Sequence, residues 1–223
     1  MRSEIWPFRL LCVFAGLLLL ASCSSANQID PKETRVSLAD LSIQFEPNYG
    51  QAEPGVLFLA RSPQLALMLR AREFTLRTTA GNSESATLSV RFLNSNDTPK
   101  LAGSHLEMSQ TNYLVGRDPS HWHTHIPNFA RVIYSALYPG IDAVFYGKGQ
   151  ELEHDFVVQP GADYRAIRMR LLGSQKTVLQ PDGRIRIRLA TGDLFFANPS
   201  AYQVVAGKKH SLPGSFVVVG KDE

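Results

Sequence analysis

An all-β fold is predicted for this chain: an antiparallel β-sandwich with no long helix after the N-terminal leader. Three observations predict it. Apolar residues recur with a period of two and not 3.6, short turn signals punctuate the alternating runs, and no stretch supports a long amphipathic helix. About a dozen short strands can be counted, enough for one sandwich or for two packed sandwich-like lobes. The composition, 44% hydrophobic and 19% charged, is that of a chain able to bury a core.

Each run is justified by its own alternation. Residues 64–73 are helix-compatible by propensity, but Leu65, Leu67 and Leu69 alternate, so a strand is expected there. Thr87 to Leu93 places Leu88, Val90 and Phe92 on one face, and Ile141 to Tyr146 does the same with Ile141, Ala143 and Phe145. Ile167, Met169 and Leu171 oppose Arg168 and Arg170. Further on, Ile185, Ile187 and Leu189 alternate strictly with Arg184, Arg186 and Arg188. Such alternation is what a sheet with one buried and one wet face requires. Pro181-Asp182-Gly183, Gly147-Lys148-Gly149 and Ala206-Gly207-Lys208 supply turns between the runs.

The N-terminus carries an address. Arg2 and Arg9 flank a polar start, and an apolar run from Leu10 to Ala21 follows. That run is short of the ~20 residues a permanent membrane helix needs and has the length of a signal-peptide core. Leu20-Ala21-Ser22-Cys23 looks like a bacterial lipobox, in which the cysteine is lipidated and becomes the new terminus. Residues 1–22 are therefore expected to be a lipoprotein signal, 23–40 a lipidated terminus and polar tether, and 41–223 the β-domain. The expected partner at Cys23 is a membrane, reached through acyl chains that each add about 0.8 kcal/mol per buried CH₂. Ser24 follows the cysteine, where Asp would resemble an inner-membrane retention signal, so the outer membrane or cell surface is favoured.

Charge and cysteine content exclude several classes. The net charge is +3, falling to +2 without the leader, and basic residues are scattered, so no nucleic-acid partner is expected. Cys12 lies in the leader, which leaves Cys23 alone. No intramolecular disulfide or cysteine zinc site can then form. No GxSxG elbow, HExxH helix, Walker loop or GxGxxG occurs.

Six segments occur in an order that resembles a known family. They are FEPNYGQ (Phe45 to Gln51), FLAR (Phe58 to Arg61), NYLVGRDPSHW (Asn112 to Trp122), YPGIDAVFYG (Tyr138 to Gly147), LEHDFVVQPGAD (Leu152 to Asp163) and NPSAYQ (Asn198 to Gln203). Together they resemble the uncharacterised N-terminal β-domain that precedes SBBP β-propeller repeats in exported bacterial proteins, over roughly residues 43–223. The resemblance implies an extracytoplasmic β-rich module with no established activity. Two departures stand out. No propeller repeats follow Glu223, so a chain truncated at its C-terminus is one expectation. Trp122-His123-Thr124-His125 also replaces the family's usual Trp-Arg-Thr-Asn.

No catalytic residue or cofactor is assigned, but several weak candidates are weighed. His121, His123 and His125 would share one face of an extended strand, where imidazoles ~7 Å apart could enter a metal site. They follow Asp118-Pro119-Ser120, a loop signature, which favours a solvated loop. Glu151, Glu153 and Asp155 alternate in the same way, with readings as calcium ligands or as a glycosidase acid/base pair. Cross-strand pairing with Arg168 and Arg170 is the expected explanation of that acidic run. His154 is expected in the core, Asp142 as a backbone cap, and Asn48 and Asn112 as turn formers. The leading functional expectation is a non-catalytic envelope module for surface display, adhesion, or glycan or protein binding. A glycan hydrolase using carboxylates near 142–155, or a remnant of a propeller-bearing protein, are the alternatives.

Overall fold

The computed structural model describes residues 8–15, 43–62, 65–79, 85–149 and 151–220, the first of these by its backbone. Cys23 and the segment 23–40 lie outside the described residues. The strands are β1 (Phe8–Ala15), β2 (Glu46–Pro47), β3 (Phe58–Arg61), β4 (Leu65–Leu69), β5 (Glu73–Thr79), β6 (Ser85–Phe92), β7 (Lys100–Tyr113) and β8 (His123–Tyr138). They continue as β9 (Ile141–Lys148), β10 (Glu151–Val158), β11 (Met169–Leu172), β12 (Lys176–Leu179), β13 (Ile185–Leu189), β14 (Gly192–Phe196), β15 (Ser200–Val205) and β16 (Lys208–Leu212). Two three-residue 3-10 turns, Pro119–His121 and Tyr164–Ala166, are the only helical elements among the described residues.

All pairings are antiparallel and build two sheets. One follows the path β12-β13-β14-β1-β10-β9-β8-β7, with β15 pairing β1 and β16 pairing β15. The other follows β11-β6-β5-β4-β3-β2. The all-β expectation holds, and so do the faces read from alternation. Leu88, Val90 and Phe92 of β6, Ile141, Ala143 and Phe145 of β9, and Ile185, Ile187 and Leu189 of β13 are all buried. Leu67 and Leu69 of β4 are buried in a strand, not a helix. Turn chemistry acts where expected. At the β15–β16 turn Ala206 and Gly207 both adopt the left-handed backbone that a tight hairpin requires.

Not every strand is short. β7 runs for 14 residues and β8 for 16. Their pairing register shifts between Leu106 and Gln110, between Thr111 and Tyr113, and between Tyr134 and Tyr138. His105, His125 and Ala136 take positive φ along these strands. A bulge inserts an extra residue and bends the strand, so period-two alternation breaks although the strand continues. That is why the sequence reads as several short strands there. β11 also begins later than its alternation suggests, because Ile167 caps the 3-10 turn.

Aromatic rings fill the space between the sheets. Phe74 of β5 meets Phe145 of β9 at 5.1 Å in an edge-on arrangement, and Phe92 of β6 meets Phe156 of β10 at 6.2 Å. Edge-to-face pairs of this kind contribute about 0.5–1.5 kcal/mol beyond area burial. Two tyrosines of β8 reach across with their hydroxyls. Tyr134 donates to Arg70 O at 2.9 Å and Tyr138 to Arg168 O at 3.1 Å, so each polar tip satisfies a carbonyl on the other layer.

His154 sits inside this layer, as expected for a core residue. It is fully buried, stacked on Phe145 at 5.3 Å and edge-on to Phe156 at 5.5 Å. Burial alone lowers its pKa to about 3, because an imidazolium in an apolar layer loses its hydration. The folded protein thus holds a neutral ring where the unfolded chain binds a proton below pH 6.5. Stability contributed by the neutral ring is complete above that pH. It is lost at about 1.4 kcal/mol per pH unit as pH falls toward 3. Urea titrations between pH 7 and pH 4 should show this slope in wild type. His154→Leu should remove most of it, and an unchanged slope would contradict a neutral buried ring.

Candidate functional site

Three of the family-like segments converge at one end of the molecule. Glu46 begins the two-residue β2, which pairs with Leu59 and Phe58 of β3. Phe45, just before it, exchanges two 2.8 Å backbone hydrogen bonds with Phe129 of β8. Glu46 is thereby held against the hairpin of β7 and β8, buried to 5% exposure. The hydroxyl of Tyr113, the last residue of β7, donates to Glu46 Oε1. Arg61 lays its guanidinium over the Tyr113 ring, 5.1 Å from the centroid. Burial raises the Tyr113 pKa first, and the hydrogen bond and charge of Glu46 raise it further, against the opposing pull of Arg61. The phenol is therefore a permanent donor to the carboxylate and not a proton acceptor.

The loop between β2 and β3 is closed around Asn48. Its Nδ2 donates to Val56 O at 3.0 Å, and its Oδ1 accepts from Gly50 N and Ala52 N, both at 3.0 Å. Gly50 has φ +114°, and a Cβ there would lie 2.8 Å from His123 Cε1. The imidazole of His123 thus packs on the one residue type that leaves it room. Next to this end is a shallow depression lined by Ile43, Ala60, Arg61, Ser62, Leu65, Leu67 and Leu152. Glu46, Tyr113 and Arg61 were not candidates from sequence. The available signal was that FEPNYGQ, FLAR and NYLVGRDPSHW recur together, but separation along the chain hid their contact.

The other family-like segments also sit at structural nodes. Asp142 Oδ1 accepts from Ala136 N at 2.7 Å, capping the bulge in β8 as its turn-like setting predicts. Asn112 Oδ1 accepts from His125 N at 2.8 Å. Asn198 lies against Gly183, whose added Cβ would come within 2.7 Å of Asn198 Oδ1.

The histidine triplet does not share a face. His121 belongs to a 3-10 turn and lies 3.5 Å from Asp118 Oδ2, His123 packs on Gly50, and His125 turns away at φ +57° toward Thr124. An extended backbone through 121–125 was the premise of a shared face, and the turn and the left-handed residue remove it. Among the described residues, no three His, Cys, Asp or Glu side chains are grouped to hold a metal ion.

The acidic run is arranged differently from the sequence expectation. β10 pairs with β9 and β1, whereas Arg168 and Arg170 belong with β11, which pairs β6 in the other sheet. Alternation fixes which way a side chain points but not which strand lies beside it. After β10 the chain crosses to the second sheet through the 3-10 turn at 164–166. Glu153 and Asp155 are buried, not solvated. Lys148 Nζ reaches Glu153 Oε1 at 3.3 Å, and the Tyr146 hydroxyl donates to Asp155 Oδ1 at 3.1 Å. Burial, then the charge of Asp155, raises the Tyr146 pKa, so this phenol also stays protonated. The arginine ladder of β13 finds its partner in Asp193 of β14, 3.5 Å from Arg186 and 3.2 Å from Arg188.

An antiparallel two-sheet domain with its motifs at packing and turn nodes is the class that this geometry defines. A family model described as a domain of unknown function (DUF7948) matches residues 45–222, and the chain belongs to that family. No curated protein and no solved structure matches the chain.

The Glu46–Tyr113 pair makes a direct prediction. Tyr113→Phe keeps the ring under Arg61 but removes the donor from a buried carboxylate, which should cost about 1–3 kcal/mol in urea unfolding. A loss below about 0.5 kcal/mol would show that Glu46 does not depend on the phenol.

Proposed function

We propose that this protein is an exported, lipid-anchored envelope module that acts by binding, in surface display, adhesion, or glycan or protein recognition. The Leu20-Ala21-Ser22-Cys23 lipobox supports anchoring at Cys23, and Ser24 favours the outer membrane or cell surface. The resemblance to domains that precede SBBP propeller repeats supports an extracytoplasmic setting.

The observation that carries the binding reading is the hairpin of β7 and β8. β7 is the last strand of its sheet and leaves one backbone edge without a neighbouring strand among the described residues. Leu106 and Met108 on it are 69% and 103% exposed, and Leu114 and Val115 at its tip are also exposed. Apolar side chains displayed on a sheet edge are features that interaction surfaces share. The buried carboxylate of Glu46 and the half-buried phenols of Tyr113 and Tyr146 are engaged in internal hydrogen bonds instead.

The protein purified from a bacterial host should start at Cys23, carry acyl chains by intact mass, and partition into detergent. It should also retain ligands from a glycan array or from isolated envelope fractions. Leu106→Asp with Met108→Asp should weaken that retention by about tenfold or more, as for a central contact, with no change in melting temperature. Retention unaffected by both substitutions would contradict a β7 binding edge. Glycan hydrolysis abolished by Glu153→Gln would instead establish the enzyme alternative.

A further inference from the structure

The hairpin of β7 and β8 ends in a loop, residues 114–122, whose first side chains take no part in the core. Leu114 and Val115 open it at 59% and 70% exposure, and neither belongs to the hydrophobic cluster between the sheets. Gly116 follows with φ +79°, and a Cβ built on it would meet nothing within 4 Å. The apex is therefore convex and stands clear of the body of the molecule. Arg117 is exposed as well, and among the described residues its guanidinium has no ion-pair partner.

Internal hydrogen bonds hold the apex in this position. Asp118 Oδ1 accepts from Ser120 N at 2.9 Å and starts the 3-10 turn Pro119–His121. Trp122 N donates to Pro119 O at 3.1 Å, and the half-buried Trp122 indole donates from Nε1 to Gly116 O at 3.4 Å. The indole is thereby laid back across the loop, beside the apex. The next residue, His123, packs on Gly50. Gly50 follows Tyr49, an exposed residue in a loop whose other side chains are occupied. Asn48 accepts from Gly50 N and Ala52 N, and Gln51 Nε2 donates to Pro47 O at 2.8 Å. Among the described residues the Tyr49 ring has no hydrogen-bond or aromatic partner. One end of the molecule thus presents two uncovered apolar side chains, an unpaired cation and two aromatic rings.

We propose that this end docks into the surface of a lipid bilayer. Leu114 and Val115 enter the acyl region, Trp122 and Tyr49 lie at the headgroup level, and Arg117 meets lipid phosphates. The choice of a bilayer rests on the anchoring proposed at Cys23, which would keep the domain beside one. Shape points the same way. A convex apex has no walls to enclose a sugar or a small ligand, whereas a fluid bilayer conforms to it. The chemistry agrees. Indole and phenol side chains favour a boundary where one end is apolar and the other wet. An arginine lays its stem along apolar surface while its charge stays with the headgroups, and anionic lipid attracts it. Asp118 is the one carboxylate in the loop. Its charge is engaged within the turn, by Ser120 N and by His121 Nδ1 at 3.5 Å. A short apolar tip adds a second attachment to an acyl anchor and does not replace it.

Trp122 supplies the measurement. The chain has two tryptophans, Trp6 in the leader and Trp122. The full chain carrying Trp6→Phe therefore has Trp122 as its only indole, whether or not residues 1–22 are removed. It is expressed in bacteria, purified and reconstituted with vesicles of equal parts phosphatidylethanolamine and phosphatidylglycerol, with or without bromine on the acyl chains. Trp122 emission should shift to the blue on these vesicles, and the brominated chains should quench it. Leu114→Asp with Val115→Asp should abolish both changes at an unaltered melting temperature, while the protein still floats with the vesicles through its acyl chains. Leu106→Asp with Met108→Asp, which tests the β7 edge, should leave the quenching as it is.

Emission that neither shifts nor is quenched on vesicles carrying the protein overturns the proposal. Emission that ignores vesicles but shifts with isolated envelope glycan or envelope proteins also overturns it, and assigns the tip to that partner. Quenching that survives Leu114→Asp with Val115→Asp, or that is lost with Leu106→Asp and Met108→Asp, places the lipid contact elsewhere and overturns it too. Intact mass decides the anchor separately. A protein without acyl chains refutes the reading at Cys23, while quenching of Trp122 in that same protein still upholds the tip.

Discussion

Phe74 and Phe92 on the smaller sheet meet Tyr134, Phe145, His154 and Phe156 on the larger one. The centroid distances across the layer, from 5.1 Å between Phe74 and Phe145 to 6.2 Å between Phe92 and Phe156, set how far apart the sheets lie. That spacing lets the hydroxyls of Tyr134 and Tyr138 reach carbonyls across the gap. It also buries His154 completely, and that burial holds the imidazole in its neutral form. Small changes of ring volume in such a layer cannot be absorbed locally, because side chains in a sandwich core interdigitate at crystal-like density.

The end of the molecule that gathers Glu46, Tyr113, Arg61 and His123 depends on the same frame. β2 is only two residues long, too short to hold its place by pairing alone. The Phe45–Phe129 backbone exchange and the buried carboxylate–phenol hydrogen bond attach it to the long hairpin. The buried carboxyl of Glu46 is satisfied by the Tyr113 hydroxyl, over whose ring Arg61 lies. Residues of the quoted motif segments close turns, seat a ring on a glycine and pin one sheet to the other. In the binding role proposed above, recognition would fall to the exposed β7 edge, apart from these internal contacts.

Period-two alternation made most of the architecture legible. In β6, β9 and β13 each apolar position read from sequence is a buried position in the fold. Alternation is a property of one strand, however, and the order of strands in a sheet is set by contacts far apart in sequence. Arg168 and Arg170 illustrate the limit: they alternate correctly, yet β11 lies in the other sheet from the acidic strand they were expected to balance. The bulged strands β7 and β8 show a second limit, since each bulge inverts the pattern midway. Glu46, Tyr113 and Arg61 show a third, because a site formed by three distant segments leaves no local spacing to read.

The aromatic layer joins the two sheets into one cooperative unit, which a double-mutant cycle between Phe74 and Phe145 measures. Urea unfolding of wild type, Phe74→Ala, Phe145→Ala and the double variant isolates their coupling across the two sheets. A coupling of about 0.5–1.5 kcal/mol is predicted for this edge-on pair, with one transition in every variant. Additive losses, or two separate transitions in wild type, would mean instead that the sheets are stabilised independently.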